Sequence, residues 1–254
     1  NQLFVTGSSR FSARQTFTCG QCFRWYENAD GSYTGVAHSR AVKISINDGA
    51  VYIYNTNRED VENIWLDYLD FKRDYSLIKK MYKSDKYISR AIKFGGGIHI
   101  LNQDIFECLI SFIISTQNQI PRIKKIVGEL CRAYGTECKL DSEVLYAFPT
   151  PQQLKDVTAH DLEFLKAGYR ADYITDAVSK VLNGEVVLGS IKNMEYADAK
   201  KELMKIKGVG PKVADCVLLF SAQKSEAFPV DVWVQRTMRT LYMDDKATNK
   251  QIEK

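Results

Sequence analysis

The chain has 254 residues, a size for one or two domains. Its composition, 45% hydrophobic and 26% charged, excludes wholesale disorder, and the net charge of +4 permits a polyanionic partner without demanding one. No apolar run approaches the roughly 20 residues that span a bilayer, and no signal-peptide pattern follows Asn1, so no membrane anchor is expected; with no initiator Met and an abrupt end at Lys254, trimming at both ends is.

The first quarter reads as β. Residues 17–26 alternate aromatic and polar. Asn28-Ala29-Asp30-Gly31 signals a turn, and residues 32–37 follow as a short strand. Residues 41–46 and 51–54 alternate on either side of the hairpin turn Asn47-Asp48-Gly49. From Arg58 the period becomes helical, with Val61, Ile64, Trp65 and Tyr68 on one face. Ile78, Met81 and Tyr82 belong to the next such stretch, and Gly95-Gly96-Gly97 closes it.

Beyond those glycines the pattern is helical almost without strand signal. Residues 104–115 read as the central buried helix, and residues 120–134 as an amphipathic one ending at Gly135. Thr150-Pro151, an N-cap followed by proline, opens a helix through residue 165. Helices follow at residues 171–182, 196–206 and 212–221, and a last clear one at 232–242. The expected architecture is α+β: a twisted antiparallel β-sheet lobe over residues 1–99, then an all-helical lobe over residues 100–254.

The six cysteines include a lone Cys19-x-x-Cys22 pair, whereas a zinc site wants a second pair at similar spacing. His38, His99 and His160 are scattered. Reduced thiols with no side-chain metal site are the expectation.

The informative segment is the helix pair joined by Gly208-Val209-Gly210. A short helix–Gly-x-Gly–helix turn turns backbone N–H groups and a helix dipole toward an anion such as phosphate. Alone, that turn fits a plain tight αα-hairpin equally well. Lys212, however, lies in the first turn of the second helix, the wrong end for a cation. The dipole there favours the free amine that a lysine nucleophile needs. Asp231, after Phe228-Pro229-Val230, is an N-cap whose carboxylate backbone N–H groups hold rigidly. The intervening helix is ~15 Å long. An extended return at ~3.3 Å per residue can span it, so Lys212 and Asp231 can face one cleft. A solvated lysine and a purely structural cap remain the plainer readings of each residue alone.

Residues 206–216, Ile-Lys-Gly-Val-Gly-Pro-Lys-Val-Ala-Asp-Cys, followed by Pro229-Val230-Asp231-Val232, resemble the helix-hairpin-helix DNA glycosylases. Within them the chain resembles the 8-oxoguanine DNA glycosylase/lyase branch. Three further blocks agree: Gly20-Gln21-Cys22-Phe23-Arg24-Trp25, residues 103–109 with 115–122, and Gly168-Tyr169-Arg170-Ala171. The resemblance implies excision of 8-oxoguanine from duplex DNA by a bifunctional N-glycosylase and abasic-site lyase. It assigns Lys212 the attack on C1′ and Asp231 the support of the sugar cation. It places a lesion-reading carbonyl at Gly20 and sets Cys216 against the flipped base. Gln117 would fill the hole in the stack, Arg122 and Arg170 would read the opposite cytosine, and Tyr169 would act as a wedge. Gly208 and Gly210 would meet a phosphate. Backbone carbonyls of Met204, Ile206 and Val209 would hold a structural monovalent or divalent cation, with no cofactor needed for catalysis. A monomer is implied, acting in the cytoplasm or nucleoid of a prokaryote or the nucleus of a eukaryote.

Three departures stand out. Gln117 replaces an Asn, and Trp233 stands where many members carry His. Members also continue past the point matching Lys254 into a helix that supplies an aromatic face and an amide to the base. Two other readings stay open on these residues: a related glycosylase for another lesion, and a non-catalytic helix-hairpin-helix DNA-binding module.

Overall fold

The fold is that of a computed structural model, which describes residues 2–5 and 11–252. Lys254, the end of the second expected domain, lies outside the described residues. Five antiparallel strands build one sheet in the order β1-β5-β4-β3-β2. They are β1 (Gln2–Val5), β2 (Trp25–Glu27), β3 (Tyr33–Ala37), β4 (Arg40–Asn47) and β5 (Ala50–Tyr54). The β4–β5 hairpin closes with Asn47 opposite Ala50, and both Asp48 and Gly49 have positive φ, as that turn requires. The β3–β4 hairpin does the same with His38 and Ser39, two residues that carry no turn signal of that kind.

One sheet face is packed. Trp25, Val42, Ile44, Val51 and Ile53 are buried against α1 (Ala13–Thr18) and the helical stretch from Arg58 to Tyr68. That stretch is α2 (Arg58–Asp60), a π-helical turn (Val61–Trp65) and α3 (Leu66–Tyr68). Phe17 stacks on Trp25 at 4.1 Å, and the Trp25 indole N–H donates to Tyr68 at 2.7 Å. The strand expected over residues 17–26 is therefore corrected. Ser12 caps a helix that carries Phe17, and only Trp25–Glu27 pairs as a strand. Aromatic alternation over so short a stretch reports burial, not backbone shape. Helices α4 (Tyr75–Met81) and α5 (Lys86–Gly95) follow.

The second core is helical. α6 (Ile105–Ser115) runs through its centre, with Cys108 to Ile114 all buried, and α7 (Ile120–Tyr134) packs its apolar stripe on it. Around them lie α8 (Arg170–Leu182), α9 (Leu188–Ile191), α10 (Tyr196–Leu203), α11 (Pro211–Ser221), α12 (Val232–Leu241) and α13 (Asn249–Ile252). The expected helix over residues 150–165 is corrected to two 3-10 turns, Pro151–Leu154 and Glu163–Leu165. The Thr150–Gln153 capping box forms, but Asp161 bonds back to Thr158 and opens a new turn before an α-helix can propagate. A hairpin without sequence warning, β6 (Glu137–Leu140) with β7 (Glu143–Tyr146), leaves the helical core and lays Leu140 on Val36 and Ala41 of the sheet.

Phe23 and Arg24 also join the lobes. Phe23 inserts into the helical core beside Phe112. Arg24, itself buried, pairs with Glu107 at 3.4 Å and donates to the Tyr146 carbonyl. Among the described residues no helix is long and apolar enough to cross a membrane.

Candidate active site

α10 and α11 meet at the Gly208-Val209-Gly210 turn. Gly208 has φ +80°, and a β-carbon there would sit 2.1 Å from the Tyr173 ring of α8. Both facts require glycine. α8 grips the turn further. Asp176 accepts from the Lys207 N–H at 2.7 Å, and Lys180 donates to the Lys205 carbonyl at 2.7 Å. The Ile206 carbonyl accepts from the Val209 N–H at 3.1 Å. Met204 is exposed at the same bend. Gly210 is the N-cap of α11 in extended conformation and offers no capping side chain, so the first amides of α11 face outward for an anion.

Pro211 opens α11 and Lys212 follows in its first turn, half-buried. The Lys212 Nζ lies 5.1 Å from the centre of the Phe112 ring of α6. One turn on, Cys216 is buried, and burial pushes its thiol up to about 11. The Lys212 charge and a hydrogen bond from Lys212 act against that, while the Asp215 and Asp231 carboxylates add to it. Lys212 and Asp231 thus both lie close enough to act on the Cys216 thiol. Asp231 is the N-cap of α12, accepting from the Trp233 and Val234 N–H groups at 2.9 and 2.8 Å. Beside it Trp233 is exposed, with Arg236 over its ring at 5.0 Å.

Gly20 lies just after α1, at φ +91°. A β-carbon there would meet only Ile120 at 3.9 Å, an ordinary contact, so the left-handed backbone and not crowding within the free protein favours glycine. The loop is fixed by its neighbour. The buried Gln21 amide donates to the Thr16 and His99 carbonyls at 2.9 and 2.8 Å and accepts from the Leu101 N–H at 2.9 Å. The Gln21 carbonyl in turn accepts from the Gln103 side chain at 2.6 Å, and the Gln103 N–H donates to the Phe220 carbonyl near the end of α11 at 2.8 Å. Gly20 and Lys212 are therefore referenced to one helix.

Gln117 is exposed after α6 in a left-handed conformation, φ +47°. Arg170 is buried beneath it. Its guanidinium donates to the carbonyls of Thr116 and Gln117, and to Ala167 at 3.1 Å. Arg122 is exposed and donates to the Lys166 carbonyl at 2.9 Å. Tyr169 is exposed, with the Arg170 guanidinium 4.6 Å from its ring. Among the described residues no group of three or more His, Cys, Asp or Glu could hold a metal ion.

Sequence reasoning missed Asp215, although it lies inside the quoted motif. It is 1% exposed and bonded to Lys200 and Tyr196 of α10. The signal available was a charged residue in the middle of the apolar run 213–219.

Residues 3–109 match the family described as 8-oxoguanine DNA glycosylase, N-terminal domain, and residues 110–254 match the HhH-GPD superfamily base excision DNA repair protein family. A probable N-glycosylase/DNA lyase of Methanothermobacter thermautotrophicus is 33% identical over 207 residues, 74% of this chain. The N-glycosylase/DNA lyase OGG1 of Arabidopsis thaliana is 31% identical over 92% of this chain. The chain spans 64% and 67% of the lengths of these two relatives. A crystal structure of Clostridium acetobutylicum 8-oxoguanine glycosylase/lyase, in complex with double-stranded DNA containing cytosine opposite 8-oxoguanine, superposes with a TM-score of 0.95. It is 40% identical, and the match covers 100% of this chain and 89% of that one. A 3-methyladenine DNA glycosylase from Archaeoglobus fulgidus, at 17% identity and a TM-score of 0.78, shares the fold.

Proposed function

The chain belongs to the HhH-GPD superfamily of base excision DNA repair proteins and carries the N-terminal domain of the 8-oxoguanine DNA glycosylases, and on that premise we propose that it excises 8-oxoguanine from duplex DNA and then nicks the strand. The observation that carries this reading is the placement of Lys212. It is in the first turn of the hairpin helix, against the Cys216 thiol, on which the fixed Asp231 carboxylate also acts.

The target nucleotide leaves the stack and enters the cleft between Gly20 and α11. As the C1′–N9 bond breaks, the electron pair leaves with the base and positive charge builds on the sugar. Asp231, held by two backbone N–H groups, faces that charge without reorganising. The amine of Lys212 forms the new bond to C1′ and gives up one proton; the C1′–O4′ bond then breaks, O4′ takes a proton, and a protonated Schiff base remains on C1′. Removal of a proton from C2′ then breaks the C3′–O bond and cuts the strand. No cofactor is needed for these steps.

The Gly20 carbonyl reads the lesion. 8-Oxoguanine carries a hydrogen on N7 that the carbonyl can accept, whereas guanine presents a lone pair there. Cys216 lies against the flipped base. Gln117 fills the gap, Tyr169 wedges the duplex, Arg122 reads the opposite cytosine with its paired donors, and Arg170, whose donors hold the loop carbonyls in the free protein, turns to the cytosine when DNA binds. The amides around Gly208 and Gly210 take a phosphate. The carbonyls of Met204, Ile206 and Val209, three neutral oxygens at one bend, suit a hard cation that bridges to it. With the lobe boundary read near residues 99–100, Gly20 comes from the first lobe and Lys212 from the second, and the nucleotide is taken between them. A monomer is sufficient, working where chromosomal DNA lies, nucleoid or nucleus.

The test compares excision of 8-oxoguanine with that of 7-deaza-8-oxoguanine, which keeps the 8-oxo group but has carbon at position 7. Loss of one buried hydrogen bond costs ~1–3 kcal/mol, so the second base should be released at least several-fold more slowly. Equal release would remove the Gly20 reading. No release of either base would remove the substrate assignment.

A further inference from the structure

Gln103 ties the Gly20 loop to α11 and lies one residue before the cap of α6. That cap, Asp104, accepts from the Glu107 N–H at 2.9 Å and fixes the start of a helix whose body is buried. Gln103 is itself buried and reaches in two directions. Its backbone N–H donates to the Phe220 carbonyl near the end of α11 at 2.8 Å, and its side-chain amide donates to the Gln21 carbonyl at 2.6 Å. The α11 side leads on to Lys212. The Phe220 ring stacks on Phe112 at 5.6 Å, and the Lys212 Nζ lies 5.1 Å from the centre of the Phe112 ring. The Gln21 side leads to Gly20, its immediate neighbour in the chain.

Two buried glutamines are a costly way to fill space, because each polar group must be paired and apolar side chains would pack as well. What the pair adds is a defined direction for one short stretch of backbone. Gly20 lies between two anchored residues. Cys19, the C-cap of α1, donates its thiol to the Thr16 carbonyl at 3.4 Å. Gln21 has its side chain held by the backbone of Thr16, His99 and Leu101, and its carbonyl held by Gln103. At a tetrahedral Cα, holding the Cβ and the carbonyl carbon leaves one direction for the nitrogen. The Gly20 carbonyl belongs to the planar peptide unit that contains this nitrogen, so its direction follows. Without the Gln103 donor, Gln21 keeps its side-chain bonds, but its main chain is free to turn about the Cα–Cβ bond. Gly20, at φ +91° and without a β-carbon, offers little resistance, and its carbonyl turns too.

We propose that Gln103 is a positioning residue for lesion specificity: its side-chain amide, referenced to α6 and α11, aims the Gly20 carbonyl at N7 of the flipped base. This rests on the reading of the Gly20 carbonyl as the acceptor for the N7 hydrogen.

The test is single-turnover release of 8-oxoguanine and of 7-deaza-8-oxoguanine, together with nicking of a duplex that already carries an abasic site, for the wild type, Gln103→Met and Gln103→Ala. Met keeps the length of the side chain and Ala removes it; both lack the donor, and both keep the backbone bond to Phe220. The two release rates are read on one preparation, so a smaller folded fraction cancels in their ratio. In the variants 8-oxoguanine release should fall about fivefold or more, the equivalent of one buried hydrogen bond, and 7-deaza-8-oxoguanine release by under about twofold, so that the ratio approaches one. Abasic-site nicking, which involves no base, should stay within about twofold of the wild type. A ratio that keeps its wild-type value, whether or not all rates fall together, overturns the proposal and leaves Gln103 a structural residue. A ratio that collapses with an equal loss of abasic-site nicking also overturns it, because Gln103 would then support the whole site. A wild type that releases both bases at equal rates overturns the Gly20 reading and the role of Gln103 with it, whereas a clear wild-type preference confines any failure to Gln103.

Discussion

The hairpin and the two loops opposite it are built by different means. Around α10 and α11 the key groups are buried and fixed by closed contacts: Asp215 with its two partners, Cys216 under Lys212, and Gly208 under Tyr173. In the loops around residues 116–119 and 166–169 Gln117 and Tyr169 are exposed, as is Arg122 in the first turn of α7, and Gln117 and Lys166 both have positive φ. Arg170 is the exception, a buried brace whose donors hold the loop carbonyls. Bond-breaking chemistry needs atoms held to a fraction of an ångström, whereas reading and filling a duplex needs side chains that can reach. The difference teaches that stability and activity should respond oppositely to substitution in the two regions.

The largest effect should come from breaking the rigid side. Gly208→Ala forces a β-carbon into the Tyr173 ring at positive φ, and should cost roughly 2–5 kcal/mol from left-handed strain and overpacking together. Thermal melting measures it, and a loss below half a kcal/mol would mean that the hairpin yields. On the loop side the two arginines sharpen the comparison. Arg170→Ala leaves buried carbonyls without donors and should lose ~1–3 kcal/mol of stability. Arg122→Ala, with one exposed bond, should lose under ~0.5 kcal/mol. Both should narrow the preference for cytosine opposite the lesion by ~1–3 kcal/mol. Equal stability losses would erase the distinction between brace and reader.

Asp231 tests whether structure and chemistry separate at one residue. Asp231→Ala should cost ~0.5–2 kcal/mol as a lost cap, and Asp231→Asn little, while both slow base release. Full activity in Asp231→Asn would make the charge irrelevant. The lobe junction supplies a pH-dependent effect. Burial pushes the Glu107 carboxyl up to about 7, only partly offset by Arg24. Its folded value lies above the unfolded one, so its contribution to stability is full below about pH 4.5 and is lost as pH rises through about 7. Glu107→Gln should flatten that part of the stability–pH curve, as read by urea unfolding across the range.

What the sequence made legible follows the same division. Hairpin turns with Asn-Asp-Gly, long periodic helices such as α6 and α7, and the Thr150 cap are local signals, and they appear where expected. Phe17, residues 155–160 and the β6–β7 hairpin were misread or missed because their shape is decided by what packs on them. Lys212 and Asp231 were legible as residue types at helix starts. Asp215, Gln21 and Gln103 were not, since their partners lie far away in sequence or on another helix. Charge pairing across helices leaves no period to read.

The central claim is that the amine of Lys212 attacks the damaged nucleotide. Borohydride trapping on a duplex with 8-oxoguanine opposite cytosine, followed by peptide mapping of the adduct, tests it most directly. The cross-link should map to Lys212, and Lys212→Gln should form no adduct while still binding the duplex. An adduct that persists in Lys212→Gln, or maps to Lys205 or Lys207, would contradict the account.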